Sequence, residues 1–191
     1  MPAPPRTASS PRTAAVLDEL VELFLAEGFR DTNLTALAGR LHCSKSTLYA
    51  IGPSKEQMIV AVVRAFFRRS TTRVDARLAA TTRPDKRLGT YLLAISDELS
   101  PASPAFFADL DAFAPTRDIY TRNTAIAAGR VRELVGGSAT RRGVDATFVG
   151  AVAGQVMEAI NAGRIGEATG LDDARAYRAL ADLLTAGVSA R

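Results

Sequence analysis

The stretch from Asn33 to Tyr49, Asn-Leu-Thr-Ala-Leu-Ala-Gly-Arg-Leu-His-Cys-Ser-Lys-Ser-Thr-Leu-Tyr, constrains this chain more than any other part of it. It reads as two short helical patterns joined by a tight polar break, and the second pattern is poor in residues to bury. Lys45, Ser46, Thr47 and Tyr49 crowd about one helical turn, so this helix has little to hide and much to present. Two helices of this kind form a helix-turn-helix, whose second helix enters the major groove of DNA with its N-terminal residues first. A DNA-binding regulator is therefore the leading expectation.

Composition narrows the alternatives. The 191 residues are 47% apolar and 23% charged, lack tryptophan and contain few aromatics, which favours helices over sheets. One cysteine cannot close an intramolecular disulfide, so the fold needs no oxidising compartment. No N-terminal run resembles a secretory signal. The most apolar later stretch, residues 146–163, is broken by Gln155, Glu158 and Asn161 and does not read as a membrane span. A cytoplasmic location is expected. Residues 1–73 hold 10 Lys and Arg against 6 Asp and Glu, whereas residues 74–191 hold 14 of each, so the net charge of +4 sits with the helix-turn-helix pattern. Such a surplus draws phosphates in a salt-dependent way, although a chance distribution over solvated helix faces gives the same count.

Along the chain, residues 1–12 are rich in Pro and Ser and read as a disordered arm. Leu17, Leu20, Val21 and Phe24 follow helical spacing from Thr13 to Glu27, where Gly28 is placed to end the helix. Asn33 or Thr35 caps a second helix with an apolar stripe of Leu34, Leu37, Ala38 and Leu41, and Ser44 caps the third. Ser54 with Gln57 forms a capping box for a long fourth helix that reaches about Ala80. Further helical patterns cover residues 85–99, 104–113, 116–135, 144–163 and 171–188, the last two divided by a Gly-rich link. The expected architecture is all-α, about nine helices. Residues 13–57 would form a helix-turn-helix domain, and residues 58–191 a helical bundle for effector binding and dimerisation.

Val16-Leu17, Leu23-Phe24, Glu27-Gly28-Phe29, Thr32, Leu37-Ala38, Ser44-Lys-Ser-Thr-Leu-Tyr49 and Pro53-Ser-Lys-Glu56 together resemble the TetR family of bacterial transcriptional regulators. The likeness is specific over residues 16–60; beyond them only helix number and length match. It implies a homodimer on a palindromic double-stranded DNA operator, usually a repressor, released when a small molecule binds the C-terminal domain. By similarity, Lys45, Ser46, Tyr49 and Ala50 would face bases, and Asn33, Thr35, Thr47 and Lys55 would hold phosphates. The sequence departs from the family in the turn, His42-Cys43 instead of Gly-Val. It departs again at Ile51-Gly52, where a histidine and a phenylalanine are common.

The chemistry of single positions bears on these roles. Lys45 can reach a phosphate or guanine O6 and N7, and Tyr49, one turn on, offers a ring to a thymine methyl. Tyr49 fits equally well as a lid on a small core with Phe24 and Phe29. Lys55 lies where free N–H groups of the fourth helix also favour an anion, yet it reads as well as a solvated helix start. Arg6 and Arg12 in the arm can dip into a flanking minor groove. If the turn needs positive φ, His42 tolerates it at a cost glycine would not carry. Cys43 takes a buried apolar place.

In the bundle, Tyr91, Phe106, Phe107, Phe113, Tyr120 and Phe148, with Gln155 and Glu158 on the eighth helix, are the candidate effector pocket for a largely apolar small molecule. Core packing and solvent exposure are the competing roles for these side chains. The last two patterns are rich in Gly and Ala and carry Leu180, Leu183, Leu184 and Val188, which suits a homodimer interface of two helices per subunit. No cofactor, metal site or catalytic residue is expected, because phosphate-loop, metal-ligand and nucleophile-elbow spacings are lacking. The other functions compatible with the residues are partnership with a protein through a weakened reading head and, last, a helical enzyme using Glu158 with Asp109 or Asp111.

Overall fold

The computed structural model describes residues 11–136 and 145–188. Among the described residues the chain forms ten α-helices and no strand: α1 Pro11–Glu27, α2 Leu34–Arg40, α3 Lys45–Ile51, α4 Lys55–Ala80, α5 Pro84–Leu99, α6 Pro104–Ala112, α7 Ala114–Gly136, α8 Ala146–Asn161, α9 Arg164–Thr169 and α10 Asp173–Val188. The expected all-α architecture is what forms, with one helix more than the periodicity suggested. The extra helix, α9, occupies the Gly-rich link between left-handed Gly163 and Gly170 and is too short to show a 3.6-residue stripe. No helix among the described residues is long and apolar enough to cross a membrane.

Side-chain caps set most helix starts. The Asn33 carboxamide oxygen accepts from Thr35 N at 2.8 Å and Ala36 N at 3.3 Å, and Ser44 Oγ accepts from Thr47 N at 3.2 Å. Ser54 and Ser103 do the same for α4 and α6, and Asp145 for α8. The α6–α7 corner is closed by Thr116, fully buried, whose hydroxyl donates to Leu110 O at 3.0 Å and Phe113 O at 2.8 Å.

The N-terminal helices share a small core. Val16, Leu20 and Phe24 of α1 meet Leu37 and Leu41 beside α2, Leu48 of α3, and Met58 and Val62 of α4. Leu48 is the one residue of α3 that is fully enclosed, at 1% exposure, and its burial contributes about 1.5–3 kcal/mol. Behind this unit α4 runs into a bundle with α5, α7, α8 and α10, in which α7 packs on α8 and α5 on α10. Ser96 Oγ donates to Ala174 O at 2.8 Å and ties α5 to α10.

Helix α1 begins two residues earlier than the composition suggested, at Pro11. Arg12 lies in the first turn of α1, and its guanidinium donates to His42 O at 2.9 Å and Leu41 O at 3.4 Å. This end of α1 braces the α2–α3 turn instead of reaching for a groove. Arg6 lies outside the described residues.

Candidate functional site

The turn between α2 and α3 is built on the departure noted in the sequence. His42 adopts φ 46°, the left-handed region. Around it, Cys43 N donates to Ala38 O at 3.0 Å and His42 N to Gly39 O at 3.2 Å. That pair of bonds is a Schellman motif with histidine in the place glycine usually takes. Arg12 on the His42 carbonyl adds a third tie. Cys43 is half-buried, and burial pushes its thiol above the usual range, so it is poorly nucleophilic.

This turn presents α3 with one face outward. Lys45, Ser46, Tyr49 and Ala50 are exposed, while Thr47 is half-buried with its hydroxyl 2.9 Å from Ser44 Oγ. Tyr49 is 47% exposed, and Phe24 and Phe29 pair with ring centroids 5.5 Å apart without it. Of its two readings, the lid on the small core is the one the geometry does not form. Thr35 is exposed, and Asn33 stands exposed at the N-terminus of α2 with its oxygen engaged as the cap. Lys55 is half-buried and donates from Nζ to Arg30 O at 2.9 Å, so its ammonium is already held by the α1–α2 loop.

Two glycines fit the reading unit to its surroundings. Gly28 ends α1 at φ 78°, and a Cβ there would stand 2.6 Å from Asp109 Oδ2 of α6. That carboxylate oxygen accepts from Phe29 N at 2.5 Å and Arg30 N at 2.8 Å. The α1–α2 loop is thereby clamped to the bundle by a residue the sequence offered only as a remote acid–base candidate. Asp109→Ala is expected to cost about 1–2 kcal/mol, the penalty for two backbone donors losing a charged acceptor at a part-exposed site. An unchanged urea midpoint in the variant would contradict this.

At Gly52 the backbone is extended, with φ −161°, and the constraint is space alone. A Cβ would meet Met58 N directly and stand 2.6 Å from Met58 Cα and Gln57 C. The missing aromatic link at Ile51-Gly52 is therefore replaced by close approach of α3 to the first turns of α4.

The candidate effector residues divide. A cavity of about 90 Å³ lies between α4, α5, α7 and α10, and Tyr91 and Tyr120 line it with Phe66, Phe67 and Tyr177. Phe106 is fully buried between Phe29, Phe66 and Phe107, and Phe107 leans on Tyr120 with centroids 6.2 Å apart. Phe113 belongs to a separate cleft beside Ile51 and Pro53. Phe148, 68% exposed, and Gln155 and Glu158 stand on the outer face of α8 and do not join the cavity. Gln155 and Glu158 contact each other at 3.4 Å. The physical reason is that α8 turns another face inward, Gly150, Ala153, Gly154, Met157 and Ile160, packed so closely on α7 that a Cβ on Gly150 would stand 2.8 Å from Arg132 Cγ.

Sequence reasoning passed over Ser70, Thr124 and Tyr177. Ser70 Oγ and Thr124 Oγ1 are buried in the cavity wall without a hydrogen-bond partner; Thr124 faces the Tyr177 hydroxyl, but not in bonding geometry. Burial holds the Tyr91 hydroxyl up at about 12 and pushes Tyr120 and Tyr177 higher still, so all three stay neutral near pH 7. The Tyr120 hydroxyl donates to Asp173 Oδ2, and burial raises that carboxyl. Single hydroxyls at helical spacing carry no sequence signal of a pocket.

The small residues of α8 and α10 also divide. Ala153, Gly154, Ala176, Ala181, Leu180 and Leu184 are buried within the chain, so two of the leucines expected at a dimer surface pack internally. Leu183, at 69%, and Phe148 and Val152 of α8 are exposed. The Val188 side chain lies outside the described residues. Among them, no group of three His, Cys, Asp or Glu is placed to hold a metal ion.

No protein-family model matches this sequence, and no curated protein does. Solved structures do match over nearly the whole chain. A transcriptional regulator of Saccharomonospora viridis in complex with choline aligns with a TM-score of 0.69 at 14% identity, covering 94% of this chain and 98% of that one. A TetR transcription regulator of Haloarcula marismortui gives 0.67 at 15% identity, covering 94% and 100%. A TetR-family regulator of Thermus thermophilus gives 0.57 at 19% identity, covering 92% and 99%. At these identities the common property is the fold: all-α, with the architecture of TetR-family transcriptional regulators.

Proposed function

We propose that this chain, which carries the TetR-type fold, is a ligand-controlled DNA-binding transcriptional regulator that acts as a homodimer, represses from a palindromic operator and leaves it when a small molecule binds the bundle. The observation that carries the reading is the outward face of α3. A seven-residue helix held by Leu48 exposes Lys45, Ser46, Tyr49 and Ala50 side by side. Lys45 and Tyr49 suit base edges and the phosphates beside them; Ser46 and Ala50 are short enough to let the helix approach the bases. Thr35 and Asn33 stand at the N-terminus of α2, where a helix that crosses the backbone meets phosphates. Thr47 and Lys55 are phosphate contacts of second rank, since both already have internal partners.

Two copies are needed because half-sites in successive major grooves lie about 34 Å apart. Exposed Phe148, Val152 and Leu183 on α8 and α10 support a dimer through these helices. The effector site is the aromatic cavity between α4, α5, α7 and α10. From it a run of touching rings, Tyr120, Phe107, Phe106 and Phe29, leads to the loop that Asp109 clamps. A ligand shifts the equilibrium only by binding one arrangement of this chain of contacts better than the other. The choline complex of the Saccharomonospora viridis regulator is in keeping with a small-molecule effector here.

The test is a gel shift with DNA flanking the chain's own gene over a salt series. Sequence-selective binding is expected at low salt, weakening steeply as salt rises. Absence of selective binding at low salt would refute the regulator reading and favour a protein partner for the exposed head.

A further inference from the structure

The effector cavity has a one-sided chemistry. Five aromatic side chains, Phe66, Phe67, Tyr91, Tyr120 and Tyr177, line it. Two carboxylates, Asp75 and Glu98, line it as well, and none of the lining residues is Lys, Arg or His. The nearby guanidiniums are engaged elsewhere or only loosely. Arg130 holds Glu133 at 2.5 Å, Arg77 holds Asp97 at 2.6 Å, and Arg73 stands 3.5 Å from Glu98. Asp75 has no ion pair among the described residues, and its field contributes to the raised Tyr91 hydroxyl after burial itself. In the same wall Ser70 Oγ and Thr124 Oγ1 are buried oxygens that lack partners.

Neutral aromatic faces carry negative potential, so rings with carboxylates beside them attract a desolvated cation more than a neutral body of the same shape. Buried, unpartnered hydroxyls are costly unless something occupies them, and an ammonium or its attached groups can do so. A volume of about 90 Å³ leaves room for a small molecule. An anion would meet Asp75 and Glu98 with no base in the wall itself, Arg73 pairing with Glu98 from outside it at 3.5 Å and Arg130 acting on Asp75 from a distance.

We propose that this cavity selects a small organic cation of the alkylated-ammonium class over neutral molecules of equal shape. The proposal rests on the reading of the cavity as the effector site. The Glu98 carboxylate and the Asp75 carboxylate supply the charge, the tyrosine and phenylalanine faces the contact surface, and Ser70 and Thr124 the hydroxyl dipoles.

The test titrates the full chain with tetramethylammonium chloride and, separately, with tert-butanol, a neutral molecule of nearly the same shape, each against sodium chloride of matched ionic strength. The readouts are the melting temperature and the heat of binding. Tetramethylammonium is expected to bind saturably and at least about tenfold more tightly than tert-butanol, and Glu98→Gln with Asp75→Asn is expected to remove that difference. Both substitutions keep side-chain size, and an unaltered circular dichroism spectrum establishes that the variant is folded. Equal binding of both probes would overturn cation selectivity while leaving the cavity a ligand site. Binding of neither would overturn it and the effector reading together. Full selectivity retained in the folded double variant would also overturn the assignment.

Discussion

Gly52→Ala is expected to lower the stability of the fold by about 3 kcal/mol, the upper part of the range for overpacked sites. The new methyl would point at the Met58 amide and stand 2.6 Å from Met58 Cα and Gln57 C. These are backbone atoms inside the first turns of α4, and they cannot move aside as a flexible side chain does. The methyl can be accommodated only by lifting α3 off α4. A helix of seven residues with one fully enclosed side chain has little to resist that movement. Urea denaturation followed by circular dichroism reads the loss, and selective DNA binding should fall with it. A variant as stable as the wild type would show that α3 approaches α4 less closely than described.

The second large effect separates recognition from folding. Lys45→Ala with Tyr49→Ala is expected to weaken selective DNA binding by at least about thirtyfold, since each good base contact is worth about 1–3 kcal/mol. Stability should be almost unchanged, because both side chains are exposed and neither packs in the core. If Lys45 lies on a phosphate, Lys45→Ala alone reduces the slope of log affinity against log salt by about 0.9. Gel shifts and urea melts on the same preparations distinguish this pair from Gly52→Ala, which loses both properties. Operator affinity unaltered in Lys45→Ala and in Tyr49→Ala would refute the recognition-helix assignment.

Much of the head was legible because it depends on local rules. Caps at Asn33, Ser44 and Ser54, the core leucines and the end of α1 at Gly28 each follow from spacing within a few residues. The positive φ at His42 was conditionally legible from the tightness of the turn; its Schellman bonds and the Arg12 brace were not. Composition places Arg12 in the arm, because it does not register a side-chain contact to a carbonyl 30 positions away.

The bundle was legible as helices and less so as surfaces. An apolar or small residue at helical spacing states that a helix has an inner face, but not which neighbour that face meets. Leu180 and Leu184 pack within the chain while Leu183 does not, and Phe148 stands outside although it is as apolar as Phe106. The cavity draws on α4, α5, α7 and α10, and its two unpartnered hydroxyls are 54 residues apart, at positions 70 and 124.

The reading helix returns at the end with its origin divided. The sequence by itself determined that residues 33–49 form two capped helices around a polar turn, with Lys45 and Tyr49 one turn apart on one face. Helix periodicity and capping are local and need no partner. Only the tertiary structure decided how that face is held and to what it is coupled: Gly52 against Met58, Asp109 on the Phe29 and Arg30 amides, and a file of rings back to the cavity. Those are contacts between distant segments. They depend on the packed distance between helices, which no short stretch of sequence encodes.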